Sequence, residues 1–184
     1  MKITSTKIPD VKIIEPTIFG DERGFFMETW NQTEFDELVT GAFTPFVQDN
    51  HSKSKKGTLR GLHFQTENSQ GKLVRVISGE VYDVVVDIRK NSSTYGHWVG
   101  LYLSSQNKKQ LWVPKGFAHG FYVVSDEAEF VYKCTDYYNP NAEVSLSWND
   151  KVLNILWPIE DNTDLIISDK DNQAIDFTKL SEIL

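Results

Sequence analysis

Four histidines, His51, His63, His97 and His119, carry the side chains whose charge changes nearest neutral pH, and two of them sit in patterned surroundings. His63 lies in Thr58-Leu-Arg-Gly-Leu-His-Phe-Gln65, an apolar run with Arg60 and Gln65 as its nearby polar side chains. His119 ends Pro114-Lys-Gly-Phe-Ala-His119. An imidazole in such a setting serves as a metal ligand, a proton-transfer base or a packed core residue, and the residues alone leave all three open. Cys134 is the only cysteine, which excludes an intrachain disulfide and any multi-cysteine zinc site. Within a strand-like run it reads as a small core residue.

The chain that must position these groups has 184 residues, enough for one domain spanning 1–184 that buries roughly two-thirds of its unfolded surface. A formal net charge of -7 with 12% aromatic residues fits a folded globular protein. The acidic balance counts against nonspecific nucleic-acid binding, yet it leaves room for one anionic ligand held by a local basic cluster. The segment MKITSTKIPDVKIIEPTIFG has no apolar signal region, and no uninterrupted apolar run approaches the roughly 18 residues that span a bilayer. The expectation is a cytoplasmic protein without a membrane segment.

Short strand-like runs separated by turn residues fill residues 43 to 148, while long helical periodicity is nearly absent. Glu80-Val-Tyr-Asp-Val-Val-Val-Asp-Ile88 puts Tyr82, Val84, Val86 and Ile88 on one face, which is expected to be core, and Val81, Asp83, Val85 and Asp87 on the other. Phe130, Tyr132 and Cys134 alternate in the same way. Turns are marked at Ser78-Gly79, Asn91–Thr94 and Asn139–Asn141, and Lys53-Ser-Lys-Lys56 reads as a solvated loop. One helix is expected over 32–39, capped by Asn31 and striped by Phe35, Leu38 and Val39. The tail beyond Trp157-Pro158 reads as one or two short helices, with Ile166–Asp171 crossing back over an all-β body.

Pro-x-Gly-x-x-His119 resembles the second signature of the cupin superfamily, which implies a double-stranded β-helix, or jelly roll, with a few short peripheral helices. Gly57 and His63 match the first signature. Gln65 and Gln70 then stand where its second histidine and its glutamate belong. Neutral amides are poor ligands for a transition metal, so no metal site is expected.

A closer resemblance rests on Phe19-Gly-Asp-Glu-Arg-Gly-Phe-Phe26, Gln48-Asp-Asn-His-Ser52, Leu59–Gln65, Gln70-Gly-Lys-Leu-Val74, Val86-Asp-Ile-Arg89, Pro114–Phe121 and Tyr132-Lys133. In this order and spacing, over residues 8 to 171, they resemble the dTDP-4-dehydrorhamnose 3,5-epimerases. The resemblance implies a cofactor-free isomerase that removes a proton beside a ketone and returns it from the opposite face of a dTDP-sugar. It assigns the base to His63, its supporting carboxylate to Asp171, the acid to Tyr132 and enolate stabilisation to Lys72. It gives Arg23, Arg60 and Lys170 to charged ligand contacts, Gln48 and Asn50 to the edge of a thymine, Asp49 to a substrate contact, and Phe19, Phe26 and Tyr138 to packing on base or sugar. Glu28, Glu143 and His119 complete the implied contacts.

The resemblance also implies a homodimer whose N-terminal segment crosses over, so that Arg23 and Glu28 serve the neighbouring site. In a regular strand Arg60 and His63 point to opposite faces, and a bulge at Gly61 is the expected remedy. Three other readings are a single-site epimerase acting at C3 or C5, a metal-dependent cupin enzyme, and a non-catalytic nucleotide-sugar binding module. For the metal question, we expect elemental analysis of the purified protein to give far less than one metal per chain, and chelator treatment to spare the activity that the resemblance implies. A stoichiometric metal that restores activity would overturn the expectation.

Overall fold

A computed structural model describes all 184 residues. Thirteen strands form three sheets. The six-stranded sheet runs in the order β1 (Lys2–Ser5), β2 (Lys12–Glu15), β10 (Gln110–Val113), β7 (Lys72–Ser78), β12 (Glu127–Cys134) and β5 (Gln48–Lys55). The five-stranded sheet is β13 (Glu143–Ser145), β6 (Leu59–Gln65), β11 (Phe117–Val123), β8 (Glu80–Asp87) and β9 (Trp98–Ser104). All these pairings are antiparallel. A separate hairpin joins β3 (Ile18–Asp21) to β4 (Gly24–Met27).

The two larger sheets face each other as a jelly roll, because alternate apolar residues on both turn inward. Val74, Val76 and Phe130 from the first sheet meet Val81, Val85, Phe121 and Val123 from the second, all fully or nearly fully buried. The face of β8 expected to be core, with Val84, Val86 and Ile88, is indeed buried, but it packs outward under the C-terminal segment with Leu62, Leu146, Phe177 and Leu180. The opposite face carries the inter-sheet core. Asp83 and Asp87 hide this in the sequence, because each is wholly buried yet bonded. Asp87 accepts hydrogen bonds from Arg89, Ser92 and Thr94, clamping the turn after β8. Burial pushes its carboxyl up, but those donors more than reverse the effect and hold it far below the usual range.

The expected helix is present as a short α1 (Gln32–Phe35) that runs on as a π-turn over Asp36–Thr40. Asn31 caps it by accepting from the Glu34 amide, and Gly41 ends it in the left-handed conformation. Phe35 and Val39 cover Trp112 and Leu73 on the outer face of the six-stranded sheet. Lys53-Ser-Lys-Lys56 is not a loop: all but Lys56 belong to β5, with Ser54 buried. Cross-strand pairing to Glu127 and Glu129 lets those lysines remain in a strand. The tail holds α2 (Asp169–Asn172) and a 3-10 turn at Phe177–Glu182.

On β6 the pairing with β11 shifts: His119 faces His63 and Phe121 faces Arg60, so Gly61 and Leu62 together oppose Gly120. His119 and Phe121 are two apart and share a face, so the bulge brings Arg60 and His63 to that one face. Gly61 sits at φ 117, and a Cβ there would lie 2.6 Å from the Gly120 Cα and 2.8 Å from the His119 carbonyl oxygen. We expect Gly61→Ala to cost about 3 kcal/mol in urea denaturation. Gly20→Ala, whose Cβ meets nothing closer than 3.6 Å, should stay within about 0.5 kcal/mol.

Candidate active site

The loop crossing back over the domain is fixed at both ends before it delivers a side chain. Ile166 exchanges backbone hydrogen bonds with Gly57 and Leu59, and Ile175 with Ser145 and Ser147. Between these anchors Ser168 caps α2 by accepting from the Asp171 amide. Asp171 is thereby pushed inward to 4% exposure, where its Oδ1 stands 2.6 Å from His63 Nε2. Ser145 donates to the same carboxylate at 3.2 Å, and the Gly61 amide lies 3.4 Å from Oδ2. Burial alone would raise this carboxyl, but His63, the Gly61 amide and Ser168 carry it below its ordinary value.

His63 and Asp171 open onto a cavity of about 620 Å³ at one end of the jelly roll. Tyr132 enters it from the other sheet, on the inward face of β12. Burial, reinforced by nearby Cys134 and Glu143, pushes the Tyr132 phenol up to about 12, against the opposing pull of Arg60. Lys72 shares the inward face of β7 with Val74 and Val76, and no carboxylate comes within 4 Å of its ammonium. Burial lowers it, while Cys134, Glu143 and Asp83 pull the other way. It is an inward lysine, held between two sheets.

Around this centre the structure gathers Arg60, Gln48, Asn50, Tyr138, Glu143 and Lys170. Glu143 is the hub: Tyr138 donates to its Oε2 at 2.6 Å, Lys170 pairs with it, and Oε1 lies 3.9 Å from His63 Nδ1. Burial raises the Glu143 carboxyl, but Lys170, Tyr138 and His63 together hold it below its usual range. Arg60 is steadied by Ser54, to which its Nε donates at 3.0 Å.

Six expected contacts lie outside the cavity lining. Asp49 points to the outer face of its sheet, paired with Lys133 at 3.0 Å, because strand alternation that sends Gln48 and Asn50 inward must send it out. Phe19, Arg23 and Phe26 are on the β3–β4 hairpin and Glu28 just beyond it, all outside the cavity of their own chain. Arg23 bonds Asp21 there, and Phe19 and Phe26 are 63% and 70% exposed. His119 sits opposite His63 but behind the lining side chains, 7% exposed, with Nε2 at 2.9 Å from both oxygens of Asp83. Burial pushes Asp83 up against the pull of His119 and Lys72.

Sequence reasoning missed Ser145, Asp83 and Ser54. An aspartate in the middle of Val81–Val86 was a legible signal, since a buried charge in an apolar strand demands a partner. Neither serine had one. As for metal chemistry, no group of three or more His, Cys, Asp or Glu side chains is arranged to hold a metal ion, and the Gln65 amide is turned onto backbone carbonyls.

The family model for dTDP-4-dehydrorhamnose 3,5-epimerase matches residues 5–179. A Salmonella typhimurium protein of that name is 56% identical over 183 residues, covering 99% of this chain and 100% of that protein. The crystal structure of a Legionella pneumophila dTDP-6-deoxy-D-glucose-3,5-epimerase in complex with dTDP-4-keto-L-rhamnose superposes with a TM-score of 0.95 at 52% identity, covering 100% of this chain and 96% of that one. ChmJ, a 3'-monoepimerase from Streptomyces bikiniensis solved with dTDP-quinovose, gives a TM-score of 0.90 at 29% identity, over 97% of this chain and 89% of that one. With a family model spanning nearly its whole length and relatives more than half identical to it, the chain belongs to the dTDP-4-dehydrorhamnose 3,5-epimerase family.

Proposed function

We propose that the protein inverts both C3 and C5 of dTDP-4-dehydro-6-deoxy-D-glucose, giving dTDP-4-dehydro-L-rhamnose for dTDP-L-rhamnose synthesis. The observation that carries the reading is that an aspartate-backed histidine and a protonated tyrosine, from opposite sheets, line one cavity. Hydrogens on C3 and C5 are both acidified by the C4 ketone, so one base and one acid on opposite sides of the ring serve both carbons.

Asp171 accepts the Nε2 proton of His63, which leaves the Nδ1 lone pair to take the sugar proton. The imidazolium that forms is stabilised by Asp171 on one side and by Glu143, 3.9 Å from Nδ1, on the other. Lys72 is the fixed positive charge for the enolate oxygen at C4. Tyr132 keeps its proton at neutral pH and returns it to the carbanionic carbon from the far side. No step calls on a redox group.

Arg60 and Lys170 suit the diphosphate, and Gln48 with Asn50 suits the polar edge of thymine. His119, paired opposite His63 but bonded to Asp83 behind the lining, is assigned to supporting the sugar end from behind rather than to touching the ligand. We further propose a cytoplasmic homodimer of single-domain subunits. The exposed hairpin supports it: Phe19, Phe26 and Arg23, with Glu28, are family-matched contacts that lie outside the chain's own cavity on an exposed segment, and a second copy would bring them there.

The likeness to a 3'-monoepimerase favours a second reading, inversion at one carbon only. In heavy water, NMR should show deuterium entering at both C3 and C5, and exchange at one carbon alone would select the narrower enzyme. His63→Ala should abolish exchange and cut turnover by about 10²–10⁴-fold. Tyr132→Phe should keep wash-in, since the base remains, while losing net inversion. Persistent activity in His63→Ala would sink the base assignment.

Asp171→Asn should slow turnover within the same range of about 10²–10⁴-fold. It should also change acid stability, because a carboxyl lowered on folding contributes stability above its ordinary value of 3.8 and loses it as pH falls through the lower folded value. Urea midpoints of wild type and variant should therefore differ most at pH 7 and converge below about pH 4.

A further inference from the structure

Gln65 stands two residues beyond His63 on β6 and is 7% exposed, yet its carboxamide does not serve the cavity. Its Nε2 donates to the carbonyls of Asn68 at 2.8 Å and Tyr137 at 3.2 Å, with Glu67 at a longer 3.4 Å. Its Oε1 accepts from the Asn139 amide at 3.0 Å. One side chain thus holds the backbone immediately before and immediately after Tyr138.

Two more glutamines complete the hold. Gln70 donates to the Asp136 carbonyl at 2.9 Å, and Gln48 accepts from the Tyr138 amide at 2.8 Å. Residues 136–139 belong to no strand or helix, so they have no ladder of their own to fix them. Tyr138 is 51% exposed, and a half-exposed tyrosine on an irregular segment would swing freely without such bonds. Instead its hydroxyl is held 2.6 Å from Glu143, the carboxylate that faces His63 Nδ1.

We propose that Gln65 is a positioning residue: by fixing the backbone on both sides of Tyr138 it sets the phenol against Glu143 and so shapes the sugar end of the cavity. The proposal rests on the reading that this cavity takes the dTDP-sugar. The amide is required in both of its roles, since a carboxylate could accept from Asn139 but would set oxygens against three carbonyls.

The test is a double-mutant cycle on kcat and KM, using Gln65→Met, Tyr138→Ala and the double variant, with melting temperatures recorded for each. Each single change should lower kcat/KM about tenfold, and Gln65→Met should cost less than about twofold once Tyr138 is already alanine. An equal loss in both backgrounds, or a Gln65→Met variant with wild-type kinetics, would overturn the positioning role. A kinetically silent Tyr138→Ala would instead overturn the placement of Tyr138 in the substrate site, and the clamp with it. Should Gln65→Met fail to fold, Gln65→Glu, which can keep the bond from the Asn139 amide but sets oxygens against the carbonyls of Asn68 and Tyr137, enters the same cycle with the same two outcomes.

Discussion

A 2.6 Å hydrogen bond between His63 and Asp171, 108 residues apart in the chain, is the contact on which the arrangement turns. A carboxylate brought to 4% exposure is stable only where donors meet it, so the tail must arrive in one position and no other. The paired strips at Ile166 and Ile175, the Ser168 cap and the apolar anchors Phe177 and Leu180 all follow from that demand. The tail gains its burial by covering the outer face of β8, which explains why both faces of that strand are apolar.

The electrostatics of the cavity follow a related logic. An acidic chain has to receive a dianionic diphosphate, and it does so by local pairing rather than by net charge. Glu143 is neutralised by Lys170 and bonded by Tyr138, while Lys72 has no close carboxylate to quench it. The cationic side chains left without a carboxylate, Arg60 and Lys72, are those proposed for the diphosphate and for the enolate oxygen.

The sequence made the architecture readable where alternation was clean, as in Phe130-Val-Tyr-Lys-Cys134, and where a cap was unambiguous, as at Asn31. It made Gly61 readable too, because two candidate site residues three apart on a strand cannot share a face without a bulge. It misled at Asp49, where a motif of three consecutive polar residues suggested three contacts but strand geometry permits only Gln48 and Asn50 to turn inward. It was silent on Ser145 and Ser54, since a serine that tunes a neighbour looks like any other serine. Gln65 was read as a missing ligand, and its own bonds, to a segment 72 to 74 residues away, lay beyond any local pattern.

His63 belongs to the five-stranded sheet, and Tyr132 and Lys72 to the six-stranded one. The distance between the proposed proton acceptor and the proposed proton donor is therefore the gap between two sheets, and that gap is filled by Val74, Phe121 and Phe130 of the apolar core. The molecule is in this sense a caliper whose jaws are the proposed base and acid and whose screw is the apolar core. On the proposed mechanism, side chains that never touch a sugar then help to set on which face it is reprotonated.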